Sequence, residues 1–237
     1  MSAPSSRAVA RRRRLVVVLV VLLALGAAAW GVSRSPLLDV DHVAVSGNAR
    51  VTTAEILASS GIRRGDAMVW LDPGVAARHV EALPWIGSAD VRREWPGTVR
   101  IAVRERVPVA WVDAGAGRAL VVDRTGRGLS LDPAAPPGLP QLLGVMPAPV
   151  GGAIHPAGGA WLAGHLTLDQ LGLVASIAVA DARATLRVSS GEEVRFGRLD
   201  QVADKMRSAQ AVLAQPGVAA RAYVDVSVPS MPVAGGP

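Results

Sequence analysis

The chain has 237 residues, half of them hydrophobic, no cysteine, and a net charge of +6 from 25 basic and 19 acidic side chains. That much apolar content excludes a mostly disordered protein. The lack of thiols excludes a disulfide scaffold, thiolate-bound zinc and a cysteine nucleophile. A basic chain invites a nucleic-acid reading, but Arg7, Arg11, Arg12, Arg13 and Arg14 hold five of the basic charges, leaving 20 basic residues against 19 acidic ones from Leu15 onward. A nucleic-acid binder carries its excess as a patch on a folded domain, so no nucleic-acid partner is expected.

Residues 1–14 form a basic tail. Leu15 to Val32 is 18 residues without a charge, and as a helix it would span roughly 27 Å, close to the thickness of a hydrocarbon core. Arg11, Arg12, Arg13 and Arg14 before it, and Trp30 near its far end, predict a transmembrane helix over 15–32, N-terminus cytoplasmic and C-terminus outside. The rival is a cleaved signal peptide ending at Ala27-Ala28-Ala29. The uncharged run continues past these alanines, which favours a retained anchor.

After a spacer at 33–37 the pattern changes to short alternating runs. Val40–Val45 reads as a strand closed by Ser46-Gly47-Asn48. Thr52 and Glu55 have capping-box spacing for a helix that runs to Ser60 and stops at Gly61. Asp72 and Pro73 supply an N-cap and a first helical residue for a second helix, which ends before Pro84. Ala89, Val91 and Trp95 alternate with polar residues, as do Val99, Ile101 and Val103. Trp95-Pro96-Gly97-Thr98 between them fits a type II hairpin turn. The order β-α-α-β-β predicts a three-stranded sheet with two helices on one face.

Val109–Val112, Ala119–Asp123 and Gly128–Leu131 read as further strands. The Pro- and Gly-rich stretch from Pro133 to Gly159 reads as a long excursion anchored by Leu139–Leu143. Ile177–Val179, Ala184–Ser189 and Glu193–Phe196 follow as strands. Asp200 is the expected cap of a helix burying Val202, Met206, Ala209 and Leu213, ended by Pro216-Gly217. Ala222–Val228 is the last strand. The fold class is α+β: one transmembrane helix, a β-α-α-β-β domain at 38–106, and a mainly β domain at 107–228 with a C-terminal helix and edge strands. A flexible tail at 229–237 closes the chain.

Chemistry is sparse. The only lysine is Lys205, preceded by Asp204, so there is no phosphate-loop Gly-Lys, and no nucleophile elbow or zinc-protease motif occurs. His42 and His79 fall on a strand and a helix. His155 and His165 flank a glycine-rich stretch without a nearby acid. Glu192 and Glu193, adjacent on a strand, point to opposite faces and cannot converge as an acid/base pair. Arg92-Arg93-Glu94 and Arg104-Glu105-Arg106 read as solvated cross-strand charges. No catalytic, cofactor or metal site is expected.

The stretches Val40–Asn48, Leu83-Pro84-Trp85-Ile86, Trp95–Ile101 and Glu105–Ala110 together resemble the POTRA domain of the bacterial division family FtsQ/DivIB. Val121–Gly126, Leu139-Pro140, Gly197-Arg198 and Arg221–Val226 resemble that family's β-domain. The resemblance implies a non-enzymatic, single-pass divisome scaffold in the plasma membrane at the division septum, in contact with lipid through one helix. Its implied partners are the small bitopic proteins FtsB/DivIC and FtsL, and through them the septal peptidoglycan synthesis machinery. The family's partner contact, where the partner adds a strand, implies Tyr223, Val224, Asp225 and Val226, with Ser227 and Val228 continuing the strand. Alternation agrees: Val224, Val226 and Val228 face the core, while Tyr223, Asp225 and Ser227 face out on an edge strand. The family usually adds a further strand with an aromatic residue, whereas Pro229–Val233 carries two prolines and no aromatic. A membrane-anchored envelope hydrolase would instead need polar groups converging on His155 and His165. A POTRA-type chaperone would need repeated units or a barrel.

Overall fold

A computed structural model describes residues 16–27, 30, 38–215 and 223–236. Arg11, Arg12, Arg13 and Arg14, the remainder of the uncharged run, the spacer and Pro216-Gly217 lie outside these residues. Residues 16–27 are helical, with every side chain exposed, and Trp30 is helical and exposed. Twelve residues rise about 18 Å. Among the described residues no helix is long and apolar enough to cross a membrane.

The chain divides into two compact units, one running to Glu81 and resuming over Ser88–Arg104, the other holding Ala82–Gly87 and everything from Glu105. Residues 82–87 count with the second unit because Trp85 and Ile86 offer their carbonyls to the Arg106 amide (2.7 Å) and guanidinium (3.1 Å).

The first unit has the expected β-α-α-β-β order: β1 (His42–Ser46), α1 (Thr53–Ser60), α2 (Pro73–Glu81), β2 (Ile86–Glu94) and β3 (Thr98–Glu105). The sheet order is β1-β3-β2, with β1 parallel to β3. Thr52 and Glu55 form the capping box, and α1 stops at Gly61 with φ +72°. The Asp72 carboxylate accepts from the Gly74 and Val75 amides and so caps α2. Val99 and Ile101 are fully buried with Ile56, Val80, Val40 and Met68, the alternation of β3 turning one row of side chains toward the helices.

The turn between β2 and β3 differs from the type II expectation. Gly97 lacks the positive φ that a type II turn requires at that position, and Trp95-Pro96 is cis. Glycine gives room here instead: a Cβ would lie 2.3 Å from an Asp41 carboxylate oxygen, so a larger residue would have to push the Asp41 side chain aside.

The second unit is built on one nine-stranded sheet. Its strands are β4 (Pro108–Asp113), β5 (Ala119–Asp123), β6 (Gly128–Asp132), β7 (Gln141–Leu143), β8 (Val174–Ala180), β9 (Arg183–Val188), β10 (Glu193–Arg198), β11 (Tyr223–Asp225) and β12 (Val233–Gly235), in the order β12-β11-β10-β9-β8-β7-β4-β5-β6. Helices α3 (Gly158–Ala163), α4 (Leu168–Leu173) and α5 (Val202–Leu213) pack on it. The apolar anchor expected at Leu139–Leu143 is more than an anchor. Its last three residues form β7, parallel to both β4 and β8, and join the two halves of the sheet.

Asp200 does not cap α5. Gln201 holds the N-cap position at φ +47° without a side-chain cap. The Asp200 carboxylate instead takes the Lys205 ammonium, which also donates to the Arg198 carbonyl (2.8 Å). Lys205 is 1% exposed, so its chain packs in the core while its head is satisfied by charge and carbonyl. That contact holds the Asp200 carboxyl below its ordinary range. With Lys205 inward, the buried face of α5 is Lys205, Met206, Ala209 and Val212.

Candidate functional site

The candidate site is the C-terminal end of the large sheet. Strand β11 runs parallel to β10, with Val194 opposite Val224 and Arg195 opposite Asp225. On its other side β11 pairs antiparallel with β12, in the register Tyr223–Gly235, Val224–Ala234 and Asp225–Val233. Two sequence expectations change here. Tyr223–Asp225 is an interior strand, and the residues 229–237 expected to be a flexible tail supply the outermost strand. Pro229 and Pro232 remove backbone donors only before the strand begins, and Val233-Ala234-Gly235 contains no proline. Gly235 is specific to its place: a Cβ there would stand 2.6 Å from the Tyr223 ring, which lies across it.

The strand at Tyr223 is also shorter than expected. Val226 donates its amide to the Arg195 carbonyl (3.0 Å), but Asp225 then folds the chain, its carboxylate accepting from the Ser227 amide (2.9 Å) and hydroxyl (2.6 Å). The Ser208 hydroxyl on α5 holds the Pro229 carbonyl at 2.7 Å. Val224 and Val226 are fully buried as the alternation predicts, whereas Val228, expected in the core, is 53% exposed because it lies beyond the turn.

Tyr223 is half-buried, with the Arg195 guanidinium 3.7 Å over its ring. Arg195 in turn meets Glu193 at 3.1 Å. The only tyrosine of the chain is therefore sandwiched between a cation and the glycine backbone of the last strand. Further along the chain three apolar side chains are exposed, Val228, Met231 and Val233. Among the described residues no strand follows β12 on its far side. The arrangement offers a short terminal strand with an apolar flank, which suits an added strand. Sequence reasoning placed the site on Tyr223–Val228 and did not single out Met231 and Val233, which are exposed. The readable signal for them was two apolar residues kept between prolines and the terminal glycines.

Toward the opposite end of the sheet lies a polar node centred on Asp123. Asp123 ends β5, every residue of which is buried. Its carboxylate accepts from the Thr125 hydroxyl and amide, the Arg127 amide and the Arg106 guanidinium, the last at 2.7 Å. Burial alone would push the Asp123 carboxyl up; the bonds from Thr125, Arg106 and Arg127 outweigh it and hold the carboxyl below its ordinary range. Arg106 is thus a part of this node and not a solvated charge. Arg93 likewise donates to the Met68 and Val69 carbonyls. Arg92 and Arg100 do form exposed pairs, with Asp90 and Glu94.

His155 and His165 are both exposed. The His165 ring stacks on Trp161 with centroids 4.0 Å apart and shares a hydrogen bond with the Trp161 carbonyl. His155 is bridged through its backbone to Met146. Among the described residues no group of three or more metal-binding side chains comes together. Of the two adjacent glutamates, Glu192 is buried and accepts from the Ser190 hydroxyl, while Glu193 faces Arg195.

Residues 38–106 match the family model described as "POTRA domain, FtsQ-type". The chain is 35% identical over 200 residues to a protein of Mycobacteroides abscessus named "Cell division protein FtsQ", covering 84% of this chain and 62% of that one. A protein of the same name from Mycolicibacterium smegmatis is 32% identical over 201 residues, covering 84% and 57%. The chain thus spans about three fifths of the length of these curated relatives. Among solved structures, the major extracytoplasmic domain of the division protein DivIB from Geobacillus stearothermophilus aligns at a TM-score of 0.37 and 22% identity, over 46% of this chain and 92% of that one.

Proposed function

We propose, from a chain that belongs to the FtsQ/DivIB family of bacterial cell-division proteins, a non-enzymatic scaffold at the division septum. Its partners are small bitopic proteins of the FtsB/DivIC and FtsL kinds, and through them it helps recruit or regulate septal peptidoglycan synthesis. It is held in the plasma membrane by one helix over residues 15–32, N-terminus inside, with Arg11, Arg12, Arg13 and Arg14 setting the orientation and Trp30 at the outer interface. The partner adds a strand beside β12 and lies over the Tyr223–Val228 segment beneath.

The observation that carries this reading is the end of the sheet: a three-residue last strand that begins at exposed Val233, preceded by exposed Val228 and Met231. Backbone pairing at such an edge supplies affinity, and side chains beside it supply selectivity. Tyr223–Asp225 already pairs on both sides, so those residues serve through side chains and through the strand they support.

The test is capture of the full chain from cell envelopes with its FtsB/DivIC-like partner. Met231→Asp with Val233→Asp is expected to abolish capture while leaving the thermal transition unchanged. Unchanged capture would show that the partner binds elsewhere. Val226 is unsuitable for such a test: it is fully buried, and a charge there would unfold the sheet.

A further inference from the structure

The three-stranded unit presents one feature that partner binding at the other domain leaves unused. Its first residues do not simply lead into β1. The Met68 amide donates to the Leu38 carbonyl (2.9 Å), the Val40 amide to Asp66 (2.8 Å), and the Gly65 amide to Val40 (2.9 Å), with Asp39 bridged to Ala67. The start of the domain and the loop at 63–72 are therefore one short ladder.

That loop is held firmly from behind. Met68 is fully buried, and Arg93 donates to the Met68 and Val69 carbonyls at 3.0 and 3.3 Å. On this fixed base Trp70 stands 70% exposed, at the lip of an open groove that Leu71, Val75 and Ala76 help to line. Arg63 and Arg64 are exposed at the loop's other end. The two acids nearby are turned to the backbone, Asp66 taking the Arg63 amide and Asp72 the Gly74 amide.

Only five residues, 33–37, separate the uncharged run from Leu38. Fully extended, five residues reach at most about 18 Å. A ladder pinned to Leu38 is thus tethered within that distance of the bilayer surface. An indole prefers the headgroup level, with its apolar body in the acyl boundary and its N–H in water, and guanidinium groups favour lipid phosphates.

We propose that the 63–72 loop is a membrane-contact site. Trp70 seats in the outer interfacial layer of the bilayer, and Arg63 and Arg64 meet lipid phosphates. This rests on the reading of 15–32 as a retained anchor. The contact adds a second point of attachment and so fixes which way the domain faces.

The chain has no cysteine, so single-cysteine variants can be spin-labelled cleanly. The full chain carrying Trp70→Cys, Ser88→Cys or Leu23→Cys is reconstituted into phosphatidylethanolamine and phosphatidylglycerol vesicles. Collisions with oxygen, which concentrates in lipid, are compared with those of a water-soluble nickel chelate. Position 70 is expected to favour oxygen several-fold over position 88, with position 23 favouring it most. In parallel, brominated lipid is expected to quench the wild-type tryptophan emission more than that of Trp70→Phe.

A lipid-exposed position 23 with position 70 as water-accessible as position 88 overturns the contact and leaves the anchor standing. A water-exposed position 23 overturns both. Shielding of position 70 only when a protein partner is added also overturns the proposal, since the loop would then be a protein site.

Discussion

The two ends of the nine-stranded sheet solve the same problem in opposite ways. At the β6 end the edge is blunted: Gly128 gives its amide to Gly152 and its carbonyl to Gly151, and Ile154 reaches Gly126. Asp123 gathers four donors just behind that edge. At the β12 end, among the described residues, the last strand has three residues and a single neighbouring strand, with Val233 in it and Val228 and Met231 before it all exposed. A sheet that protects one edge with a loop and a buried polar node has the means to protect both. The proposed addition of a partner strand at the C-terminal edge rests on this difference.

If the β6 end is the stability anchor, breaking it should cost the most. Asp123→Ala leaves the Arg106 guanidinium and the turn amides without their acceptor and is expected to cost about 3 kcal/mol, read from the denaturant midpoint. The same carboxylate gives a pH test. Its folded pKa lies below the ordinary 3.8, so its contribution is fully present above that value and is lost as pH falls through the folded pKa. The stability gap between wild type and Asp123→Asn is expected to hold at neutral pH and to narrow below pH 3.8. A gap that stayed constant into acid would show that the charge contributes nothing. Lys205→Met, nearer the other end, removes charge-assisted bonds to Asp200 and Arg198 and is expected to cost about 1–2 kcal/mol. It tests whether α5 is pinned to the β10 terminus by its ammonium or by packing alone.

The same contrast shows what the sequence carried and what it hid. Elements written in local chemistry were legible: the Thr52/Glu55 box, the Asp72-Pro73 helix start, and β5 over Ala119–Asp123. Elements defined by distant partners were not. Strand β7 is three residues between Pro140 and Gly144, and only its neighbours β4 and β8 make it a strand. Helix α4 carried a readable sign, the Thr167/Gln170 capping box, but its six residues are too few to show a helical period. Strand β12 hid behind Pro229 and Pro232, and with it the true edge. The strand expected at the edge, Tyr223–Asp225, therefore lies one strand in from it.

Two smaller effects sharpen the edge itself. Met231→Asp alone is expected to weaken capture of the small bitopic partner about tenfold, roughly 1.4 kcal/mol, without moving the unfolding midpoint. The last case is Tyr223. Its ring is covered by Arg195 at 3.7 Å on one side and packed against Gly235, so much of what makes it look like a contact residue is already satisfied within the chain. Tyr223→Leu keeps an apolar filler and loses the cation–π contact, which is expected to cost about 0.5–1 kcal/mol of stability. If partner affinity falls by no more than that, the ring is a support for β12. A larger fall in affinity, with the same small change in stability, places the phenol in the interface. The first outcome is expected, because the side chains left exposed at this end are Val228, Met231 and Val233, while Tyr223 is half-covered by the strand it holds.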